Sequence, residues 1–282
     1  MRPRSWPVVG GHMAVGFAVA HATGIWRLDA LDWLRLLGAW IVWTVFLNGG
    51  TLAINTAYDK DEGDIGYLFN PPPIPRHLAA FSLILLLAGL AISPLLGWRF
   101  LAAYAAAFVL SLLYSVPPLR LKARAGYDLF VNCTGYGALT FFAGYAAGYS
   151  ATQKPDNLAV LLACIAFFLL YICFYPMTQF YQYEEDKRHG DMTLTVALGK
   201  RRLLWIALAS LLAAFGFFAW HASQLGIGYK SIGLAIAFIA WCAVLLPWIM
   251  KGERYPEKKG MYRALWAWGL TDVVIVINAV LK

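Results

Sequence analysis

Two short polar runs in a hydrophobic chain carry the residues best suited to chemistry. The first is Asn55-Thr56-Ala57-Tyr58-Asp59-Lys60-Asp61-Glu62-Gly63-Asp64, and the second is Gln182-Tyr183-Glu184-Glu185-Asp186-Lys187-Arg188-His189-Gly190-Asp191. Together they hold eight of the fifteen acidic residues of the chain. Carboxylates packed this closely repel one another unless a cation lies among them. The runs offer oxygen donors, and that set selects a hard cation, chiefly Mg²⁺, over zinc. Mg²⁺ takes one or two carboxylates and completes its shell with water and phosphate oxygens, so the chemistry that fits is the handling of a metal-bound diphosphate. Lys60, Arg76, Arg120, Lys122, Lys187 and Arg188 are the nearby cations able to clamp it. Solvated loop charges near the headgroups are the plain alternative.

Helical spacing favours the site. At about 100° per residue, Asn55, Asp59 and Glu62 share a face within roughly 60°, and Gln182, Glu185 and Asp186 share one within about 100°. Asp61 and Asp64 join the first face only where the helix unwinds near Gly63. Each run thus presents an amide and at least two carboxylates to one side.

The elements that must position these runs are membrane helices. The chain has 282 residues, 61% of them hydrophobic and 13% charged, about half the charge of a soluble domain. Segments of roughly 20 mainly apolar residues occur at about 6–26, 32–55, 77–97, 99–116, 126–149, 158–181, 203–223, 230–250 and 261–281. The expected fold is therefore an all-α integral membrane protein, a bundle of nine transmembrane helices forming a single domain over 1–282. The apolar run at the N-terminus continues past Ala18-Val19-Ala20, which marks a first membrane helix rather than a cleaved signal. Trp26, Trp33 and Trp98 fall at helix ends, where amphipathic rings favour the headgroup layer.

With a cytoplasmic N-terminus, seventeen of the basic residues fall on cytoplasmic segments and six on the other side, as the positive-inside rule requires. The net charge of +8 is thereby explained without nucleic acid. Both acidic runs then face the cytoplasm, in long loops after the second and sixth helices, an arrangement that suggests an internal duplication with the two sites facing each other. The expected location is a bacterial inner membrane. Cys133, Cys164, Cys173 and Cys242 lie in apolar stretches without metal-ligand spacing, as small hydrophobes.

Three motifs in order resemble the UbiA superfamily of intramembrane prenyltransferases, whose members are similar in having nine helices and two Asp-rich motifs after helices 2 and 6. Asn55 and Asp59 match the first motif, and Asp186, Gly190, Thr193 and Gly199 match the second. The run Tyr114-Ser115-Val116-Pro117-Pro118-Leu119-Arg120-Leu121-Lys122 is similar to a Tyr-Ser-x-Pro-Pro-x-(Arg/Lys)-x-Lys segment after helix 4. The motif loops cover about 55–76, 114–125 and 182–202. This chain departs from the pattern at Gly63 and Gln182, where the family carries carboxylates. The family's Arg-Pro-rich stretch appears as Asn70-Pro71-Pro72-Pro73-Ile74-Pro75-Arg76, with a single Arg.

The resemblance implies Mg²⁺-dependent transfer of a polyprenyl group from an allylic prenyl diphosphate to a lipophilic acceptor within the bilayer. Residues and resemblance together assign Asp59, Asp186 and Tyr114 to catalysis. Asn55, Asp59, Glu62, Asp64, Glu185 and Asp186 are the expected Mg²⁺ ligands. Lys60, Arg76, Arg120, Lys122 and Lys187 are expected on the diphosphate, and Asn48, Tyr58, Asn132, Gln182 and Asp191 in the substrate pocket. Tyr58, Tyr114, Tyr136, Tyr181 and Tyr183 are candidate walls for a carbocation. Two other functions compete: a terpene cyclase of the same superfamily, and a cation or organic-anion transporter. Transporters place acids at mid-membrane, where this chain has only Asp272. His12 and His21 are nine apart and point to opposite helix faces, so they share no metal. Asp128 and Asn132 lie on one face near the start of the fifth helix.

Overall fold

The computed structural model describes residues 2–21, 28–59, 73–149, 157–224 and 231–280. It is helical throughout, and among these residues the only β-pairing is an isolated parallel bridge between Arg124 and Met192. Among the described residues, helical segments fall within each of the long apolar runs. Seven are long and apolar enough to cross a membrane: Ala30–Asp59, Leu78–Leu96, Trp98–Ser115, Asn157–Gln182, Lys200–Gln224, Ile232–Lys251 and Glu257–Val280. The other two fall short for different reasons. Helix α1 (Trp6–Ala20) is described over 15 residues, and the run Tyr127–Gly148 is diluted by Asp128, Asn132 and four glycines. Trp33 and Trp98 are exposed at helix ends, as interface anchors should be; Trp26 lies outside the described residues.

The chain forms two compact units, Met1–Leu121 with Leu139–Ala151, and Lys122–Ala138 with Thr152–Lys282. The first contains α1, α2 (Ala30–Trp40), α3 (Gly49–Asp59), α4 (Leu78–Ile92), α5 (Trp98–Ser115) and α7 (Thr140–Gly148). A reciprocal Asp29–Asp32 capping box starts α2. A π-helical stretch, Ile41–Asn48, joins α2 to α3 in one continuous helix. The core is aromatic, with Trp43 packed edge-on against Phe100 and Tyr104. Its polar tips are satisfied: Trp43 Nε1 donates to Thr140 Oγ1 at 3.1 Å, and the Tyr104 hydroxyl donates to the Leu86 carbonyl at 3.0 Å. Where α1 meets α7, a Cβ on Gly16 would lie 1.9 Å from the Phe141 carbonyl oxygen. Only glycine permits that approach.

The second unit contains α6 (Tyr127–Asn132), α8 (Asn157–Gln179), α9 (Tyr183–His189), α10 (Leu194–Leu198), α11 (Lys200–Gln224), α12 (Ser231–Lys251) and α13 (Glu257–Val280). A second π stretch, Cys133–Leu139, follows α6. Two hydrogen bonds to backbone fasten α11 to α8, from Ser210 Oγ to the Leu169 carbonyl at 2.6 Å and from His221 Nδ1 to the Ala159 carbonyl at 2.8 Å. Phe167, Tyr171, Phe174 and Trp268 interlock between α8 and α13. The four cysteines are free thiols, buried at Cys133 and Cys173 and half-buried at Cys164 and Cys242.

Candidate active site

In the first unit, α3 ends its described length at Asp59, so Asn55 and Asp59 occupy the last turn, one above the other. Both are half-buried, and Tyr58 beside them is exposed. Lys60, Glu62, Gly63 and Asp64 lie outside the described residues. Arg76 is exposed just before α4.

The N-terminal segment, which carries none of the three motifs, is attached to this turn. Arg2 Nη2 donates to Thr56 Oγ1 at 3.3 Å, and Asn48 Nδ2 donates to Ser5 Oγ at 3.1 Å. Asn48, one of the pocket candidates, is therefore buried with its amide on Ser5. A hydrogen bond of 2.7 Å between Thr51 and Ser111 joins α3 to α5. Near the end of α5, Tyr114 is half-buried. The chain then turns through a cis Pro117–Pro118 bond to Arg120, whose φ of 38° is uncommon for a side-chain-bearing residue. Such backbone strain, when it occurs, concentrates at functional sites.

In the second unit, a 3-10 turn, Phe180–Gln182, separates α8 from α9. The sequence ends the sixth helix at about 181, ahead of the motif loop at 182–202, and the break falls at that boundary. The break leaves Gln182 and Asp186 still about one turn apart, because Gln182 becomes the residue preceding α9. Asp186 is half-buried and Lys187 exposed; the Glu185 side chain lies outside the described positions. Asp191 is buried, and Lys122 sits half-buried in the 3-10 turn Leu121–Ala123. Asn132 is half-buried, and its amide donates to the Asp128 carbonyl of its own helix at 2.8 Å.

The motif residues around Asp186 have local jobs. Gly190 adopts a left-handed φ of 75°, which a residue with a Cβ would resist. Its N–H donates to the Lys187 carbonyl at 3.3 Å, and the Asp191 N–H donates to the Asp186 carbonyl at 3.0 Å. That pair of bonds is a Schellman ending for α9. Thr193 caps α10 by accepting the Val196 N–H at 3.3 Å and donates its hydroxyl to Asp186 Oδ2, also at 3.3 Å. The latter is long for an O–H donor, and it biases the carboxylate's orientation. Lys200 lies 5.2 Å above the Tyr183 ring and pairs with Glu257 at 2.6 Å, which fixes α9 beside the starts of α11 and α13.

Among the described residues no three His, Cys, Asp or Glu side chains converge on a point that could hold a metal. The donor types nonetheless suit Mg²⁺: Asn55, Asp59, Gln182 and Asp186 offer oxygen alone, at helix ends.

The sequence model of the UbiA prenyltransferase family matches residues 13–268. Lycopene elongase/hydratase of Haloferax volcanii is 30% identical over 227 residues, spanning 77% of this chain and 70% of that protein. The structure of a digeranylgeranylglyceryl phosphate synthase superposes with a TM-score of 0.72 at 17% identity, covering 100% of this chain and 99% of the other. A UbiA homologue from Archaeoglobus fulgidus, bound to GPP and Mg²⁺, superposes with a TM-score of 0.66 at 21% identity, covering 97% and 95%. At those identities the two structures establish a shared fold.

Proposed function

Because this chain belongs to the UbiA prenyltransferase family, and is thereby a multi-pass membrane enzyme that transfers prenyl groups, we propose a specific reaction for it: Mg²⁺-dependent transfer of a polyprenyl group from an allylic diphosphate to a long apolar acceptor. The observation that carries this is Asp186, an acid whose backbone and side chain are both held by family-motif residues, Gly190 and Thr193. Asn55 and Asp59, one turn apart at the end of α3, are the matching donors of the first motif. Bound there, Mg²⁺ would neutralise the charge that develops on the departing diphosphate. The chain's own residues do the rest. Asn55, Asp59, Glu62, Asp64, Glu185 and Asp186 hold the metal-bound diphosphate, and Lys60, Arg76, Arg120, Lys122 and Lys187 bind its oxygens. Tyr114, at the end of α5, faces the allylic cation.

In this reading the chain acts as one catalytic domain with nine crossings, its N-terminus and both acidic motifs on the cytoplasmic side. The name of the Haloferax relative supports a linear isoprenoid such as lycopene as the first acceptor to try. Membership of a prenyltransferase family leaves the transporter without support. The test is mass spectrometry of products from purified protein in lipid, given a panel of prenyl diphosphates with and without lycopene. An elongated acceptor and released diphosphate are expected. A cyclic hydrocarbon formed without acceptor would establish the cyclase instead.

A further inference from the structure

The segment that follows Asp186 is anchored by a residue outside all three motifs. Asp128, in α6, is fully buried, and both of its carboxylate oxygens are engaged. Oδ1 accepts the Gly126 N–H at 2.8 Å, closing the local turn. Oδ2 accepts the Leu194 N–H at 3.0 Å, sixty-six residues along the chain. Leu194 is the first residue of α10, so the carboxylate satisfies a donor that the helix cannot satisfy itself. Two residues earlier, the Met192 N–H donates to the Ala123 carbonyl at 3.2 Å, beside the Arg124–Met192 bridge. Thr193 lies between these two attachments, and its hydroxyl is on Asp186.

A buried carboxylate is costly unless hydrogen-bonded, and capping its own turn at Gly126 would engage only one oxygen. The second oxygen crosses to the acidic-motif segment, next to the residue that orients Asp186. We propose that Asp128 is a positioning residue for the transfer reaction. By holding Leu194, it fixes Thr193 and through it the Asp186 carboxylate. The same clamp keeps the 122–124 segment, with Lys122, in register with residues 191–194. This inference rests on the assignment of Asp186 to the metal-bound diphosphate.

Two measurements on wild-type, Asp128→Asn and Thr193→Val proteins test it. The first is hydrogen exchange by mass spectrometry on metal-free protein in detergent. Asp128→Asn should lose protection over 191–196, with α8 and α11 unchanged; unchanged exchange there overturns the proposal. The second is diphosphate release titrated with Mg²⁺. Asp128→Asn should raise the half-saturating Mg²⁺ by about 10–100-fold, the usual cost of losing a residue that orients a metal ligand. Thr193→Val should shift it likewise, Thr193→Ser should restore it, and the double variant should go no further than the larger single effect. A fold defect alone lowers amplitude and leaves the midpoint in place, so unmoved midpoints overturn the proposal. If Asp128→Asn does not fold, the Thr193 pair decides the matter. If wild-type protein releases no diphosphate from any prenyl diphosphate, the functional assignment falls and the catalytic role with it, while exchange still reports whether Asp128 anchors the segment.

Discussion

The α1–α7 contact yields a prediction with a magnitude that can be worked from distances. A Cβ on Gly144 would lie 1.7 Å from the Met13 carbonyl oxygen, 2.8 Å from its carbon and 3.0 Å from the Phe17 nitrogen. All three are backbone atoms of α1, so no rotamer change relieves the clash. Ordinary contact begins at 3.4 Å, and Gly144→Ala must therefore push the two helices apart by about the difference, or bend one of them. A gap of only 0.5–1 Å forfeits roughly a quarter to a half of the dispersion energy between facing atoms. This is the most extensive helix pair of the first unit. The cost should reach or exceed the upper end of the overpacking range, about 3 kcal/mol. Gly216→Ala in α11 is the control, because nothing lies within 4 Å of its added Cβ. There the better helix propensity of alanine should be neutral or stabilising by up to about 1 kcal/mol. The assay is thermal stability in detergent, followed by size-exclusion fluorescence. Gly16→Ala should resemble Gly144→Ala, and the double variant should cost less than the two separately, since one separation relieves both clashes. Equal midpoints for Gly144→Ala and Gly216→Ala would refute close backbone packing here.

Other expected outcomes follow from the site. Asp59→Ala and Asp186→Ala should each abolish Mg²⁺-dependent diphosphate release while leaving the thermal midpoint close to wild type; full activity in both would remove the proposed site. Lys200→Met should cost about 1 kcal/mol in the same thermal assay, the scale of a half-exposed ion pair plus a cation–π contact. An unchanged midpoint would mean the Lys200–Glu257 pair contributes nothing to holding α9. Trp43→Phe removes the indole N–H that donates to Thr140 Oγ1 and should cost about 1 kcal/mol; a midpoint equal to wild type would show that this hydrogen bond is dispensable.

Helix placement was largely legible in the sequence, because bilayer thickness sets run length and the runs here are bounded by Pro, Gly and charges. Which face of each helix turns inward was not. In a membrane protein both lipid and core favour apolar side chains, so Ile84 and Leu86 look equivalent in sequence, yet one is exposed and the other buried. The Gly16 and Gly144 contacts were invisible for the same reason, since a glycine in an apolar run does not announce what approaches it. The two π stretches carry no distinguishing composition. The second acidic motif was readable as a pattern, and the structure supplies its causes: Gly190 ends α9, and Thr193 holds the carboxylate. The attachments of Arg2 to Thr56 and of Asp128 to Leu194 are non-local, and a single sequence gives no signal of which distant backbone group a polar residue will meet.

Gln182 is where these causes lead to a sharper test. Asp186 is fixed through its carbonyl, its carboxylate and the segment that Asp128 anchors. Gln182 is the residue just before α9, with no side-chain hydrogen bond capping that helix. Gln182→Asp places a second carboxylate about one turn from a carboxylate that cannot rotate away freely. Without metal, the like charges disfavour each other's ionised form and the variant should lose stability at neutral pH. A cation shared between them reverses the sign, and it stabilises the fold by RT ln(1 + [L]/Kd). Mg²⁺ alone should therefore raise the thermal midpoint of Gln182→Asp more than that of wild type, with a tenfold gain in affinity appearing as about 1.4 kcal/mol at high Mg²⁺. Mg²⁺ increments that are equal in the two proteins would place residue 182 outside the metal's reach and leave Asp186 to act from this motif without it.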